Sequence, residues 1–343
     1  VVKIGNITSN GIEVDKIEYY SFIGLEKYII RKGDILIAMT GATVGKMCVS
    51  QLNNCLINQR ACIIRGKTIN NAYLSYLLKA KEFYDYCQNN AGGGAQGNIS
   101  PTQILNYKIP LPPLEVQEQI VAEIETYQKI IDGARQVIEN WKPKIKVDEK
   151  WEMVKLGEYI DFVSGLTLSI PECESKTGIP IISINNILED GKLTKKGLRF
   201  INIPSKCTVN YLQKGDLLFN WRNGSKHLVG KTGFFDWNEK YVFASFCLGI
   251  RTKTKYLDSR YLWYVLNNYR LSGKFMAFMR QNINGLFNRE ELKILQIQLP
   301  PLAVQQNIVS EIEKEQEIIE ANKRLIELME KKIEDVIAKV YQE

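Results

Sequence analysis

Histidine is almost missing from this chain: His227 is the single one in 343 residues. With one histidine, a Ser/His/Asp relay cannot be placed in each half of the sequence. There are seven cysteines, an odd number, and none forms a Cys-x-x-Cys pair. Cys48, Cys55 and Cys62 are spaced seven apart with no histidine near them, so the short-spaced S and N ligands of a structural zinc site are lacking. These cysteines read as reduced, buried thiols of a cytoplasmic protein. No run of about 18 apolar residues exists, which excludes a membrane-spanning helix. The opening Val1-Val2-Lys3-Ile4-Gly5 has neither an initiator Met nor a basic-then-apolar leader, and the true start is expected upstream.

Charge is the first positive signal. The net charge is +7, unevenly spread. Residues 1–112 carry 12 basic against 7 acidic side chains, and residues 151–298 carry 21 against 13. The segments 113–150 and 299–343 are net acidic, by 2 and 4 charges. Two basic bodies separated by acidic segments suit two contacts with one polyanion. Basic surfaces are common, so charge alone leaves nucleic acid and other acidic partners both open.

The strongest feature is an internal repeat. Leu111-Pro-Pro-Leu-Glu-Val-Gln117 returns as Leu299-Pro-Pro-Leu-Ala-Val-Gln305, an offset of 188, and Ile120-Val-Ala-Glu-Ile124 returns as Ile308-Val-Ser-Glu-Ile312. Upstream, Lys32-Gly-Asp-Ile-Leu36 matches Lys214-Gly-Asp-Leu-Leu218, and Val44-Gly-Lys46 matches Val229-Gly-Lys231. Tyr73-Leu-Ser-Tyr-Leu-Leu78 matches Tyr261-Leu-Trp-Tyr-Val-Leu266, and Ile4-Gly-Asn-Ile7 matches Ile184-Asn-Asn-Ile187. The second copy opens with Trp151-Glu-Met-Val-Lys-Leu-Gly157 and runs to Gly178-Ile-Pro180; the first has no equivalent of this stretch. A trimmed first copy is expected, with its first strand in doubt.

Each copy reads as a mixed α/β globular part followed by a long helix. Short apolar runs after the Lys-Gly turns, Asp34–Ala38 and Asp216–Phe219, look like strands. Tyr73–Cys87 and Tyr261–Met279 look helical. After Ile120, apolar residues fall at Ile124, Tyr127, Ile131, Ala134, Ile138 and Trp141, alternating steps of four and three, which is a heptad seam. The second seam runs from Ile308 and Ile312 to Val336 and Val340, interrupted by Glu315 and Asn322. Each proline pair suits an extended entry just before its helix. Such helices pair with each other, pair with another chain, or lie on their own globular part; a narrow seam with acidic outer faces favours a spacer.

Three segments look catalytic and fail on spacing, context or side-chain chemistry. Gly41-Ala-Thr-Val-Gly-Lys46 has three residues between its glycines, where a phosphate loop needs four, and Met47 follows the lysine. It reads instead as a tight loop offering backbone N–H groups and a lysine to DNA phosphate. Gly92-Gly-Gly-Ala-Gln-Gly97 follows a helical stretch rather than a strand, so it is no dinucleotide fingerprint. It is a site of close approach or simply a turn. Leu-Pro-Pro-Leu lacks the polar side chain that would hold a target amine.

The tandem plan, the Trp151…Leu156-Gly157 opening, the Lys-Gly-Asp strand entries and both Leu-Pro-Pro-Leu-x-x-Gln-x-x-Ile helix starts together resemble the specificity subunit of Type I restriction–modification enzymes. The likeness covers essentially the whole chain. It implies target-recognition domains at 1–112 and 151–298, a central spacer helix at 113–146 and a C-terminal spacer helix at 299–343. The fold class it implies is α+β: two pseudo-symmetric domains joined by an antiparallel intramolecular coiled coil. It implies double-stranded DNA as ligand, read as a split site. It also implies two methyltransferase subunits carrying S-adenosylmethionine and a motor-nuclease subunit as partners. On this reading the chain has no catalytic residue, metal or cofactor of its own. Divergent domains imply an asymmetric site. The competing readings are the specificity portion of a fused restriction–methylation enzyme and a non-catalytic helical scaffold.

The family's shared motifs are structural, so base-reading residues are chosen physically. Arg, Lys, Asn and Gln on loops read base edges, and Lys and Arg hold phosphates. In the first domain the candidates are Thr40, Thr43, Lys46, Asn58, Gln59, Arg60, Gln96 and Asn98. In the second they are Asn220, Trp221, Arg222, Asn223, Lys226, Lys231, Arg280, Gln281, Asn282 and Asn284. Trp221 is either a wedge against DNA or a core residue.

Overall fold

The computed structural model describes the chain outside residues 9–10, 15–18, 20, 22, 93–96, 144, 146–147, 149, 167–173, 204–207, 223–224, 254, 277–286 and 343. It divides into two compact units, Val1–Asn140 with Glu320–Glu343, and Trp141–Ile319. No helix among the described residues is long and apolar enough to cross a membrane.

In the first unit the run after Lys32-Gly33-Asp34 forms the strand Ile35–Ala38, buried at every residue. It is the middle strand of an antiparallel sheet, between Met47–Val49 and Ala61–Ile64. Successive side chains point to opposite faces. Ile35 and Ile37 enter a core with Leu74, Leu78 and Phe83. Leu36 and Ala38 enter another with Val2, Ile30 and Cys48. Because both faces are covered, the strand reads as unbroken apolar sequence. The helical stretch is two helices, Asn71–Lys79 and Lys81–Asn90, rather than the one expected; Ala80 is extended (φ −63°, ψ 153°) and parts them.

The second unit repeats this plan with more strands. Leu217–Asn220, again buried throughout, lies between Thr232–Phe234 and Cys247–Thr252, and the latter pairs onward with Ile160–Val163. A second four-stranded sheet runs Glu174–Ser175, Arg199–Ile201, Ile179–Ile182, Val242–Phe243, its last pair parallel. The stretch after Trp151 supplies Met153–Lys155, paired with Gln296–Gln298. The helix Ser259–Leu271 is the counterpart of Asn71–Lys79.

The doubled Lys-Gly-Asp has a physical cause. Asp34 and Asp216 are buried, and each accepts the backbone N–H three residues before it, from Arg31 and Gln213. Each also takes a two-pronged guanidinium: Arg65 on Asp34 at 2.6 and 2.6 Å, and Arg251 on Asp216 at 2.7 and 2.7 Å. The forked geometry ties the turn before the central strand to the neighbouring strand. Removing one partner of a fully buried pair costs about 3–5 kcal/mol. The loss here is smaller, because the Arg251 side chain keeps 35% of its surface in water.

The doubled Pro-Pro-…-Gln is a joint between globular part and long helix. The Gln117 amide donates to the Pro112 carbonyl at 2.8 Å and accepts the Asn70 N–H at 2.9 Å. Gln305 does the same with Pro300 and Asp258, both at 2.8 Å. Asn70 and Asp258 in turn cap the N-termini of Asn71–Lys79 and Ser259–Leu271. Tyr73 and Tyr261 close the joint by donating to the carbonyls of Pro110 and Gln298.

The long helices Leu114–Asn140 and Leu302–Val340 have 27 and 39 residues. At 1.5 Å per residue they are about 40 and 58 Å long. They pair antiparallel within the chain. Lys332 Nζ lies 5.2 Å from the Tyr127 ring centre, Arg135 binds Glu330 at 2.8 Å, and the Trp141 indole N–H donates to Glu315 at 2.9 Å. Val121 and Ile124 share a core with Ile337 and Val340. Glu315, an interruption in the apolar seam, meets the aromatic that ends the other seam, so a hydrogen bond replaces an apolar contact there.

Candidate nucleic-acid interface

In the first unit three loops far apart in sequence are hydrogen-bonded into one surface. The Met39 N–H donates to the Arg60 carbonyl at 2.9 Å, and the Gly41 N–H donates to the Gly97 carbonyl at 2.9 Å. Thr40 and Asn98 form an antiparallel bridge, and the Ile99 N–H returns to the Met39 carbonyl. The candidates Thr40, Thr43, Asn58, Gln59, Arg60 and Asn98 are thereby held by one connected loop cluster. Lys46, Gln59, Arg60 and Asn98 are exposed. The Asn58 carboxamide oxygen accepts the Arg60 N–H at 3.0 Å, and the Thr43 hydroxyl donates to the Thr40 carbonyl at 3.0 Å, so both brace the loops. Gln96 lies outside the described residues.

The loop Gly41–Lys46 differs from its sequence reading in one respect. The N–H groups of Gly41, Val44, Gly45 and Lys46 all donate to protein carbonyls. These four are spent within the protein, and the exposed Lys46 side chain is a group the loop offers to an anion. The Val-Gly-Lys glycines are required sterically. A Cβ on Gly230 (φ +89°) would stand 2.2 Å from the Phe275 ring, and one on Gly45 (φ +79°) 2.8 Å from Cys87 Cβ.

In the second unit the matching loop runs from Asn220 to Lys231, closed by the Asn220 N–H donating to the Lys231 carbonyl. Asn220 is buried and donates to the Leu228 carbonyl at 3.0 Å, while its side-chain oxygen meets no donor. Trp221 is half-buried against the core, and its indole N–H donates to the Ser245 carbonyl at 3.2 Å. Arg222 is exposed. Lys231 is buried, its Nζ 4.0 Å from Glu189, and burial pushes its ammonium below the ordinary value against the opposing pull of Glu189. Lys226 begins the helical turn Lys226–Leu228, but its side chain, like Asn223, Arg280, Gln281, Asn282 and Asn284, lies outside the described residues.

One exposed residue escaped the sequence reading. The turn Asn58–Ala61 corresponds to Ala244–Cys247, each closed by an N–H to carbonyl bond of 3.0 Å. That register puts Phe246, 51% exposed, at the position of Arg60. Aligning the two copies through Cys62 and Leu248 would have found it.

Burial raises the thiols of Cys48 and Cys87 to about 11 and those of Cys62 and Cys247 to about 12, which keeps them protonated at neutral pH. Among the described residues no group of three His, Cys, Asp or Glu side chains is placed to hold a metal ion.

Two copies of a mixed α/β domain, each ending in a long helix and with the helices paired antiparallel, define a tandem recognition fold. The family profile of the Type I restriction modification DNA specificity domain matches residues 1–140 and 148–331, and the chain belongs to that family. It is 25% identical over 262 residues to the EcoKI specificity subunit of Escherichia coli K12, covering 66% of this chain and 56% of that protein. To the MjaVIII specificity subunit of Methanocaldococcus jannaschii it is 22% identical over 339 residues, covering 89% and 77%. Among solved structures, a chain from a type I R-M system superposes with a TM-score of 0.59 at 19% identity, covering 91% of this chain and 82% of that one. The S subunit of M. genitalium gives 0.52 at 12% identity, covering 92% and 84%. At these identities the structures share the fold.

Proposed function

We propose that this chain reads a split, asymmetric site on double-stranded DNA for a Type I restriction–modification complex and carries out no chemistry itself. Residues 1–112 and 151–298 each read one half-site. The segments 113–146 and 299–343, whose helices are Leu114–Asn140 and Leu302–Val340, the first ending six residues short of the expected spacer, set the unread gap and dock two methyltransferase subunits and a motor-nuclease subunit. The exposed loop side chains Lys46, Gln59, Arg60, Asn98 and Arg222 make the contacts, with Thr40, Thr43, Asn58, Asn220 and Trp221 bracing them.

The observation that carries this reading is that the turn Asn58–Ala61 and the loop closed by Ala38 and Lys46 recur as the turn Ala244–Cys247 and the loop closed by Asn220 and Lys231, on two basic domains, with different side chains at matching places. Arg60 against Phe246 is the clearest case. An arginine reads a guanine edge through two hydrogen bonds, whereas a phenylalanine meets a thymine methyl or stacks. Two such surfaces select two different half-sites. The paired helices are 27 and 39 residues long, which suits a fixed spacing.

The test is selection from a randomised duplex pool with the full chain and its methyltransferase partner. Enrichment of two unlike short blocks at constant spacing is expected. A pool with no enriched sequence would leave a scaffold as the better reading.

A further inference from the structure

Behind the second unit's loop, two buried cations share one carboxylate. The Lys231 side chain is 10% exposed and that of Arg270 is 7%, while Glu189 is 69% exposed. Arg270 donates to the Glu189 carboxylate at 3.1 Å and to its backbone carbonyl. Lys231 Nζ stands 4.0 Å from the same carboxylate, beyond hydrogen-bond length. The Nε–H of Arg270 is buried and has no acceptor. One flat carboxylate thus serves two cations incompletely. Buried donors without partners are costly, and such sites call for a group that satisfies them.

The first copy holds the same place open. Lys46 corresponds to Lys231, Leu78 to Leu266 and Thr8 to Leu188. There Lys46, Lys79 and Lys81 line a cavity of about 730 Å³ with Glu334. Thr8 lines this cavity, and the sequence Thr8-Ser-Asn-Gly11 has no carboxylate where the second copy reads Leu188-Glu-Asp-Gly-Lys192. One position in the repeat is therefore a lysine-lined cavity in the first unit and a cation pair capped by Glu189 in the second.

We propose that Lys231 and Arg270 form a site for a backbone phosphate of DNA, and that Glu189 occupies it as an internal stand-in until DNA displaces it. This deepens the DNA-reading function and rests on it. A phosphate spreads its oxygens tetrahedrally, so one group reaches the Lys231 ammonium and the orphaned Arg270 Nε–H together. Glu189 sits on a tight hairpin, with the Leu188 N–H on the Lys192 carbonyl and the Gly191 N–H on the Leu188 carbonyl. Its exposure lets it swing outward.

The experiment compares the full-length wild type with Glu189→Gln and Glu189→Asp. Binding to the enriched duplex is measured across a salt series. Thermal unfolding is followed with added inorganic phosphate at constant ionic strength. Removing the competing charge in Glu189→Gln should tighten duplex binding about tenfold at low salt. It should also steepen the slope of log K against log salt by about 1. Phosphate should raise the melting temperature of Glu189→Gln more than that of the wild type, with Glu189→Asp intermediate in both readouts. Unchanged or weaker duplex binding by both variants, or no extra phosphate stabilisation, would overturn the proposal. If no protein retains any duplex, the DNA reading fails, and the phosphate melting curves still decide whether the cations bind an anion.

Discussion

Gln305→Ala tests whether the joint at the start of the second long helix carries as much as its hydrogen bonds imply. Gln305 is 0% exposed. Its amide donates to the carbonyls of Pro300 at 2.8 Å and Tyr256 at 3.0 Å and accepts the Asp258 N–H at 2.8 Å. Alanine strands all three groups. The Asp258 N–H, in a part-buried position, loses its acceptor and costs toward the lower end of about 1–3 kcal/mol; the carbonyls keep a second lone pair and cost less. With the lost side-chain volume added, a destabilisation of about 3 kcal/mol is expected. All five tryptophans, Trp141, Trp151, Trp221, Trp237 and Trp263, lie in the second unit. Tryptophan fluorescence in urea therefore reports that unit alone. With an m-value of about 1–3 kcal/mol/M, the midpoint should fall by about 1–3 M. Gln305→Met restores the volume without the hydrogen bonds and should recover less than half of the loss. A fall under about 1 kcal/mol for alanine, or a methionine variant as stable as the parent, would refute the joint's role.

Arg222→Ala should weaken binding at particular bases by about 1–3 kcal/mol if the guanidinium makes a bidentate base contact; an unchanged base preference in competition assays would remove it from the interface. Lys46→Ala should weaken binding evenly across sequences and flatten the salt slope by about 1, and a loss confined to one base would contradict a phosphate contact. Alkaline pH should destabilise the fold. The thiols of Cys62 and Cys247 are raised to about 12 by burial, while an unfolded thiol titrates near 8.5. Above about pH 8.5 the unfolded chain sheds protons that the folded chain keeps, so stability is full below that pH and declines by about 1.4 kcal/mol per pH unit for each thiol. Cys247→Ala should remove its share of the decline between pH 8 and 10; equal slopes for variant and parent would count against that assignment.

Periodicity made the long helices legible, because apolar residues at steps of four and three leave little choice of structure. Trp141 was visible as the end of one seam and Glu315 as a break in the other, yet their meeting was not. It depends on how far two antiparallel helices are offset, which neither sequence stretch encodes alone. The repeat exposed Lys-Gly-Asp and Pro-Pro-…-Gln as important without saying why. The partners of Asp34 and Asp216, Arg65 and Arg251, sit 31 and 35 residues later, Arg65 just past a neighbouring strand and Arg251 on one. At the candidate interface, loop polarity picked out segments that the first unit hydrogen-bonds together. It did not separate exposed Lys46 from buried Lys231, which share a motif, because the difference lies in Glu189 and Arg270, supplied by remote hairpin and helix positions.

The Gln117 and Gln305 joints have a consequence for how such a chain diverges. Each fastens its domain through backbone carbonyls, one backbone N–H and a capping residue, none of which belongs to the loop clusters. Mutations that alter the loops leave the attachment untouched. The two copies can therefore differ at their loops while sharing one way of being mounted.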